Sequence, residues 1–479
     1  MTKVLLLQIL AALLHFTVEI QAGPMGSIVS IPLEKTTPQS SSTDFIPSVV
    51  VHQQHANRGI RRLAHMKGEA DPPEHDLWGR ISVRLAGLPE SSQFMHKLMN
   101  KAGLFSDHRS ERRHGHAASL SSRLSPRSTQ KNNLTAPTYP NTLSLDIQSN
   151  DNGYMAKFAI GTPPRTFSLL MDSGSADFWV AGEGCQGNDG KRCGNHTFLG
   201  NNTSSTFKDL RRAWSIEYNT GTVSGTVAQD DISVASLHLE DFNFGVARKE
   251  SSEFTGNGIL FDGIAGVAKS IASKQKTPTL MEALHKSGTI KNSIVSFKIP
   301  RAADNKPNGE MTLGGMNPAR YKASSMATVK NVNKFGFWET PISQVKIDGK
   351  PTGWTNRTGV LDTGTALLIA PREDVDAIHS QVPGAKKIDG SWAVPCKTNA
   401  SISLTFGSID FPINPRDLAF IPFYDDEPDG DCWSGISIGT VGPFNLPTTW
   451  LLGDTFLKNV YHSLNADEGK DEITFAKLK

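Results

Sequence analysis

From Tyr154 onward the sequence predicts an all-β body built from two folding units, and two observations carry that prediction. Short segments rich in Val, Ile, Phe and Thr alternate with turns of Gly, Asn, Asp and Pro, which is the pattern of strands. Within this body Asp172-Ser173-Gly174-Ser175 is echoed 190 positions later by Asp362-Thr363-Gly364-Thr365. Each copy follows an apolar run, Phe167 to Met171 and then Val360-Leu361, so each places a carboxylate on a Gly-bearing turn at a strand end. One such phrase arises by chance in many turns. Two imply two units that each donate one Asp to a shared site, and paired carboxylates let a protein without a cofactor run acid and base chemistry on one water.

The N-terminal elements come first. Lys3 precedes an apolar stretch from Val4 to Val18, and Ile20-Gln21-Ala22 offers a small residue before the cut, so residues 1–22 read as a signal peptide. That stretch is short for a membrane span, no other segment approaches one, and the C-terminus from Asp471 is polar, so a soluble mature protein is expected. Residues 23–139 have few periodic apolar segments, many Ser, Arg and His, and short helix-like pieces such as Ser92 to Leu104. They read as a pro-segment to be removed. Arg112-Arg113 is a dibasic processing site in a polar run, with Arg61-Arg62 a second candidate, and the mature chain then begins between His114 and Tyr139.

Eight of the 14 histidines lie between His52 and His116. A solvated polar segment accounts for them. The sharper reading is a pH sensor, in which imidazoles charging below about 6.5 weaken docking of the pro-segment. Of the 49 Lys and Arg, 13 fall in residues 1–113, against 10 of the 47 Asp and Glu. This asymmetry has the right sign for an electrostatic latch but is small. With a net charge of +2, nothing argues for a nucleic-acid partner.

The body's helical patches are few, Thr277 to Lys286 and Arg372 to Ser380, the latter with Glu373 and Asp374 suited to a helix start. Four cysteines allow three pairings. Cys185 and Cys193 are the natural local pair across a Gly-rich loop, which leaves Cys396 with Cys432, as disulfides of an oxidising compartment. Metal ligation is the poorer reading, since no pair has a C-x2-C spacing and no His cluster adjoins. Asn133, Asn195, Asn201, Asn202, Asn356 and Asn399 head glycosylation sequons and should lie on surface loops.

The stretch Tyr154 to Val180 and the stretch Gly359 to Pro371 resemble the two active-site segments of the pepsin-like aspartic peptidases. Ile216 to Gly221 resembles that family's β-hairpin flap, and Phe261 to Gly266 and Trp450 to Asp454 resemble the strands that back each catalytic loop. The cysteine pairs sit where the family places one disulfide per lobe, and Ile31-Pro32-Leu33 resembles its pro-segment. The resemblance covers residues 140–479. It implies a bilobal fold of two β-barrel-like lobes, 140–320 and 321–479, with the cleft between them.

What the resemblance implies for single residues is equally specific. Asp172 and Asp362 would be a catalytic dyad. Two carboxylates about 3 Å apart cannot both ionise cheaply, so they keep one proton and activate a water against a peptide carbonyl. Gly174 and Gly364 let amides approach the carboxylates. Ser175 and Thr365 would bond the outer oxygens, and Ser173 and Thr363 would lock the two loops together, with Ser173 lacking the methyl of the commoner Thr. Tyr218, on a hairpin tipped by Asn219, Thr220 and Gly221, would close over substrate and bond the Trp179 indole. Asn219 replaces the usual Gly but tolerates left-handed angles. Thr220 stands where some fungal relatives carry Asp and argues against a basic residue at the cleaved bond.

Phe261 and Ile264, with Phe254, would line a pocket for bulky apolar side chains, although each can equally be core. The C-terminal segments Tyr461 to Asn465 and Ile473 to Ala476 depart from the family's ending, which puts edge packing in question. The implied function is a secreted, acid-acting endopeptidase made as a zymogen, with no metal or organic cofactor. Its partners are polypeptide substrates and its own pro-segment as intramolecular inhibitor, with no membrane partner; a monomer is the default and a vacuole the alternative destination. The rival is a catalytically silent binding protein on the same fold, gripping polypeptide or carbohydrate.

Overall fold

The computed structural model describes residues 48–81, apart from 74, 78 and 79, and residues 139–479, apart from 148–152, 219–220, 256–258, 305–307, 424–426, 428 and 441–444. Ile31-Pro32-Leu33, Ser92 to Leu104, Arg112-Arg113, Asn133, Asn219 and Thr220 lie outside the described residues.

The body is all-β and bilobal. In the first lobe the strands β1 (Tyr154–Ile160), β2 (Arg165–Asp172), β3 (Phe178–Gly187), β4 (Lys208–Tyr218), β5 (Gly221–Val234), β6 (Leu237–Glu250) and β7 (Gly263–Gly266) join Asp146–Ile147 in an eight-stranded sheet. Beyond Asp146–Ile147, its order is β1-β2-β7-β3-β6-β5-β4. In the second lobe β8 (Glu339–Ile342), β9 (Arg357–Leu361), β10 (Leu368–Ala370), β11 (Ile436–Ile438) and β12 (Thr449–Leu452) form a sheet ordered β8-β9-β12-β10-β11.

The two sheets repeat one arrangement around each Asp. The strand ending at Asp172 runs parallel to β7, with Met171 opposite Ala265, and β7 runs antiparallel to β3. The strand ending just before Asp362 runs parallel to β12, with Leu361 opposite Leu452, and β12 runs antiparallel to β10. Strands covered on both faces need apolar residues throughout. Accordingly Val360, Leu361, Leu451 and Leu452 are fully buried.

A third, six-stranded sheet joins Thr142–Ser144, Glu310–Leu313, Ile294–Lys298, Val460–Asn465, Glu472–Lys477 and Ala327–Lys330 in that order. The divergent C-terminal segments are therefore interior strands. Tyr461 and His462 are buried, and the Asn317 amide donates to the Tyr461 hydroxyl at 2.8 Å.

Helices follow the predicted signals closely. Leu280–Lys286 is shorter than the expected span because Thr279 caps it, accepting from the Glu282 amide while the Glu282 side chain accepts from the Thr279 amide. Arg372–His379 forms as predicted, and its Asp374 is buried, accepting from Arg357 Nη2 at 2.7 Å and Trp450 Nε1 at 2.9 Å. Both cysteine pairs are disulfides, Cys185–Cys193 and Cys396–Cys432. The side chains of Asn195, Asn201, Asn202, Asn356 and Asn399 are all exposed.

One element departs from the sequence reading. Ser48–Met66 is a 19-residue helix, α1, inside the region expected to be irregular. It lies in the cleft. Ala56, Ile60, Leu63 and Met66 pack with Ala176 and Ala268 from the first lobe and with Val360, Leu367, Ile369 and Leu451 from the second. Gly68, at φ +69°, ends it in the left-handed conformation that glycine adopts at helix C-termini.

Candidate active site

The two Asp-hydroxyl-Gly turns meet at the centre of the cleft as near-equivalents. Asp172 Oδ1 accepts from the Gly174 amide at 2.9 Å and its Oδ2 from the Ser175 hydroxyl at 2.7 Å. Asp362 Oδ1 accepts from the Gly364 amide at 2.9 Å and its Oδ2 from Thr365 Oγ1 at 2.6 Å. The turns are so close that a Cβ on Gly364 would lie 2.5 Å from Asp172 Oδ1, and one on Gly174 the same distance from Asp362 Oδ1. Only glycine fits at these two positions.

The turns are fastened to each other by a reciprocal lock. The Ser173 amide donates to Thr363 Oγ1 at 3.0 Å, and that hydroxyl donates to the Met171 carbonyl at 2.9 Å. The Thr363 amide donates to Ser173 Oγ at 2.9 Å, and that hydroxyl donates to the Leu361 carbonyl at 3.2 Å. The serine thus keeps all the hydrogen bonds that the commoner threonine would make.

Between the carboxylates lies Arg62 of α1. Its Nη2 donates to Asp362 Oδ1 at 2.7 Å and to Asp172 Oδ1, while Nε donates to Asp362 Oδ2. The Arg62 side chain is only 11% exposed, and the carboxylates 1% and 0%. Burial pushes both acids up. At Asp172 the Arg62 guanidinium and the Ser175 and Gly174 donors outweigh burial and hold the pKa below its ordinary value. At Asp362 burial, reinforced by the charge on Asp172, prevails over Arg62 and the pKa lies above the ordinary value. Burial opposes the charge on Arg62, but the two carboxylates outweigh it and keep the guanidinium protonated. Arg61-Arg62 is therefore no accessible processing site while α1 is docked.

Among the described residues, the predicted flap tyrosine and the pocket residues come together. Trp179 Nε1 donates to the Tyr218 hydroxyl at 2.8 Å, and Tyr218 stands opposite Gly221 in the β4–β5 hairpin. Phe254 packs edge-on to both Tyr218 and Trp179, and Phe261 and Ile264 complete the same apolar cluster. Burial, with the nearby charges of Asp177 and Asp172, raises the Tyr218 hydroxyl well above its usual pKa and keeps it neutral.

Sequence reasoning missed two members of the site. One is Arg62; the other is Glu339 at the start of β8, whose carboxylate receives Lys67. A partial signal marked the stretch that carries Arg62 and Lys67, but neither their roles nor Glu339. From Ser48 to Gly68 the chain carries Arg58, Arg61, Arg62 and Lys67 and no acid, with Ala56, Ile60 and Leu63 at helical spacing.

A family profile described as eukaryotic aspartyl protease matches residues 153–478. The chain belongs to that family. A probable aspartic-type endopeptidase CTSD of Trichophyton verrucosum is 32% identical over 368 residues, covering 75% of this chain and 69% of the relative. Rhizopuspepsin of Rhizopus chinensis is 30% identical over 342 residues, covering 70% and 81%. Gastricsin of Cavia porcellus is 28% identical over 317 residues, covering 65% and 77%. This aspartyl protease is accordingly a hydrolase of the aspartic endopeptidase class, and no helix among its described residues is long and apolar enough to cross a membrane.

Proposed function

We propose that this aspartyl protease is made as a latent zymogen and, once α1 leaves, cleaves polypeptides in acid through Asp172 and Asp362. The observation that carries the reading is the convergence of both carboxylates on one guanidinium at the cleft centre. A cation held there neutralises the pair and occupies the place a catalytic water needs.

With Arg62 gone, two carboxylates this close retain one proton between them over an acidic range, the behaviour for which pepsin is the standard example. The ionised member takes a proton from the water as that water attacks the peptide carbonyl. The protonated member donates to the carbonyl oxygen, giving a neutral diol, and protonation of the leaving nitrogen completes cleavage. The resting proton belongs to the pair. Ser175, Thr365 and the two glycine amides hold the carboxylates in place, and Tyr218 with Trp179 closes the lid over the peptide. Phe254, Phe261 and Ile264 favour a bulky apolar side chain at the scissile bond. Secretion as a glycosylated monomer, after a cut near Arg113, completes the reading.

The test is digestion of a denatured protein at about pH 3–5 by protease freed of residues 23–139, beside Asp172→Asn. Wild type should digest it and the variant should be inert. A wild type as inert as the variant would leave a binding protein on the same fold.

A further inference from the structure

We propose that Glu339 is a cation-binding subsite of the mature cleft, taking a Lys or Arg side chain of the substrate two to three residues from the scissile bond. The proposal rests on the peptidase reading above and deepens it. Glu339 is 1% exposed, yet Lys67 reaches it, placing Nζ 2.8 Å from Oε1 and 3.0 Å from Oε2. Among the described residues Lys67 is the one cation paired with this carboxylate.

The carboxylate is held ready from the body's side. Thr358 Oγ1 donates to Oε1 at 2.7 Å and Asn333 Nδ2 donates to Oε2 at 2.9 Å. Asn333 is itself fixed, since its Oδ1 accepts from the Phe335 and Phe337 amides, and Asn331 Oδ1 accepts from the Glu339 amide. These contacts are made within the body, and the amide that holds Oε2 has one further acceptor on α1, the Met66 carbonyl 3.1 Å from Asn333 Nδ2. When α1 departs, Glu339 keeps its neutral donors and loses its cation, leaving an ionisable acceptor in a partly desolvated groove, where a charge attracts its opposite more strongly than in bulk water.

Its position suits a substrate side chain. Glu339 pairs with Val360, two residues before Asp362. Lys67 follows Arg62 by five residues, about 7–8 Å at the helical rise of roughly 1.5 Å per residue. An extended peptide covers that distance in two to three residues at about 3.3 Å each. The preference therefore falls away from the cleaved bond itself, where Thr220 argues against a basic residue.

The experiment uses the mature protease and peptides with one fixed scissile bond, in which Lys, Gln or Glu is moved through each of the three positions on either side. At one position two or three residues out, Lys should exceed Gln by about tenfold in kcat/KM, the scale of one charge-assisted hydrogen bond. Glu339→Gln should reduce that ratio to about one, and Glu339→Lys should favour the Glu peptide. The wild-type ratio should also shrink as salt is raised, a readout that does not depend on either variant folding. Cleavage of all peptides with no Lys preference, or a preference that Glu339→Gln leaves intact, overturns the subsite alone. No cleavage of any peptide overturns the peptidase reading and the subsite with it.

Discussion

In the proposed zymogen Arg62 is a better plug than a lysine would be, because its planar fork meets two carboxylates at once where an ammonium is a point charge. Its partners lie 110 and 300 positions away along the chain, so no local pattern announces the role. Ser173 and Thr363 were readable for the opposite reason: each acts on the backbone beside the other Asp, within a motif that repeats. Removing one partner from a buried ion pair leaves uncompensated charge and costs about 3–5 kcal/mol. Arg62→Gln should therefore weaken α1 docking by a cost of that order. The zymogen should then melt at lower temperature and turn over peptide at pH 5 with no prior acid step. Full latency in the variant, measured on the intact chain, would mean that α1 blocks the cleft by bulk alone.

At the level of elements, the strands and the two body helices were legible because their caps and periodicity are local. Thr279 with Glu282 is a capping box, and the paired Asp strands are apolar throughout. Helix α1 was not legible because its buried positions include His52, Gln53, His55 and Asn57, where a core-facing helix normally carries apolar residues. Gln53 Nε2 donates to Asn57 Oδ1 at 2.9 Å and Asn57 Nδ2 to the Leu77 carbonyl at 3.0 Å. His52 Nε2 donates to the Ser434 carbonyl at 2.9 Å and its ring stacks on Trp433, while His55 meets the edge of Phe420. Burial, with the charges of Arg58 and His52, holds the His55 pKa well below 6.5. Its contribution to docking is then complete above about 6.5, the free value, and is lost as pH falls toward the lowered docked value. The Arg62–Asp172 pair persists until pH falls through a value below the ordinary 3.8. In the proposed activation the histidine thus loosens α1 first and protonation of Asp172 follows. His55→Gln should move half-maximal activation to lower pH by roughly one unit. An activation midpoint unchanged from wild type would leave Asp172 as the trigger.

Across the whole molecule the twofold repeat of strand, Asp turn and backing strand was legible because the motif itself is duplicated. The six-stranded sheet that joins the lobes was not, since Val460–Asn465 pairs with Ile294–Lys298, over 160 residues earlier, and so looked like an edge. That pairing buries His462, stacked on Phe297 at 5.2 Å, and burial lowers its pKa to about 3. His379, stacked on Trp392 at 5.0 Å, is lowered to about 4 for the same reason. Both are neutral in the folded body and protonate freely in the unfolded chain near pH 6.5, so their contribution to stability is complete above that pH. It is lost as pH falls through the window down to the folded values. Under the proposed acid activity, the protease carries two groups that oppose its stability at working pH. At pH 4 the loss from His462 alone is about 3 kcal/mol, taking roughly 1.4 kcal/mol per unit over the interval from 6.5. His462→Leu keeps a similar volume and removes the titration. The fall in Tm between pH 7 and pH 4, measured by calorimetry on the body freed of residues 23–139, should be smaller in the variant by several degrees. If wild type and variant lose the same number of degrees, the imidazole is already satisfied as a cation inside the sheet.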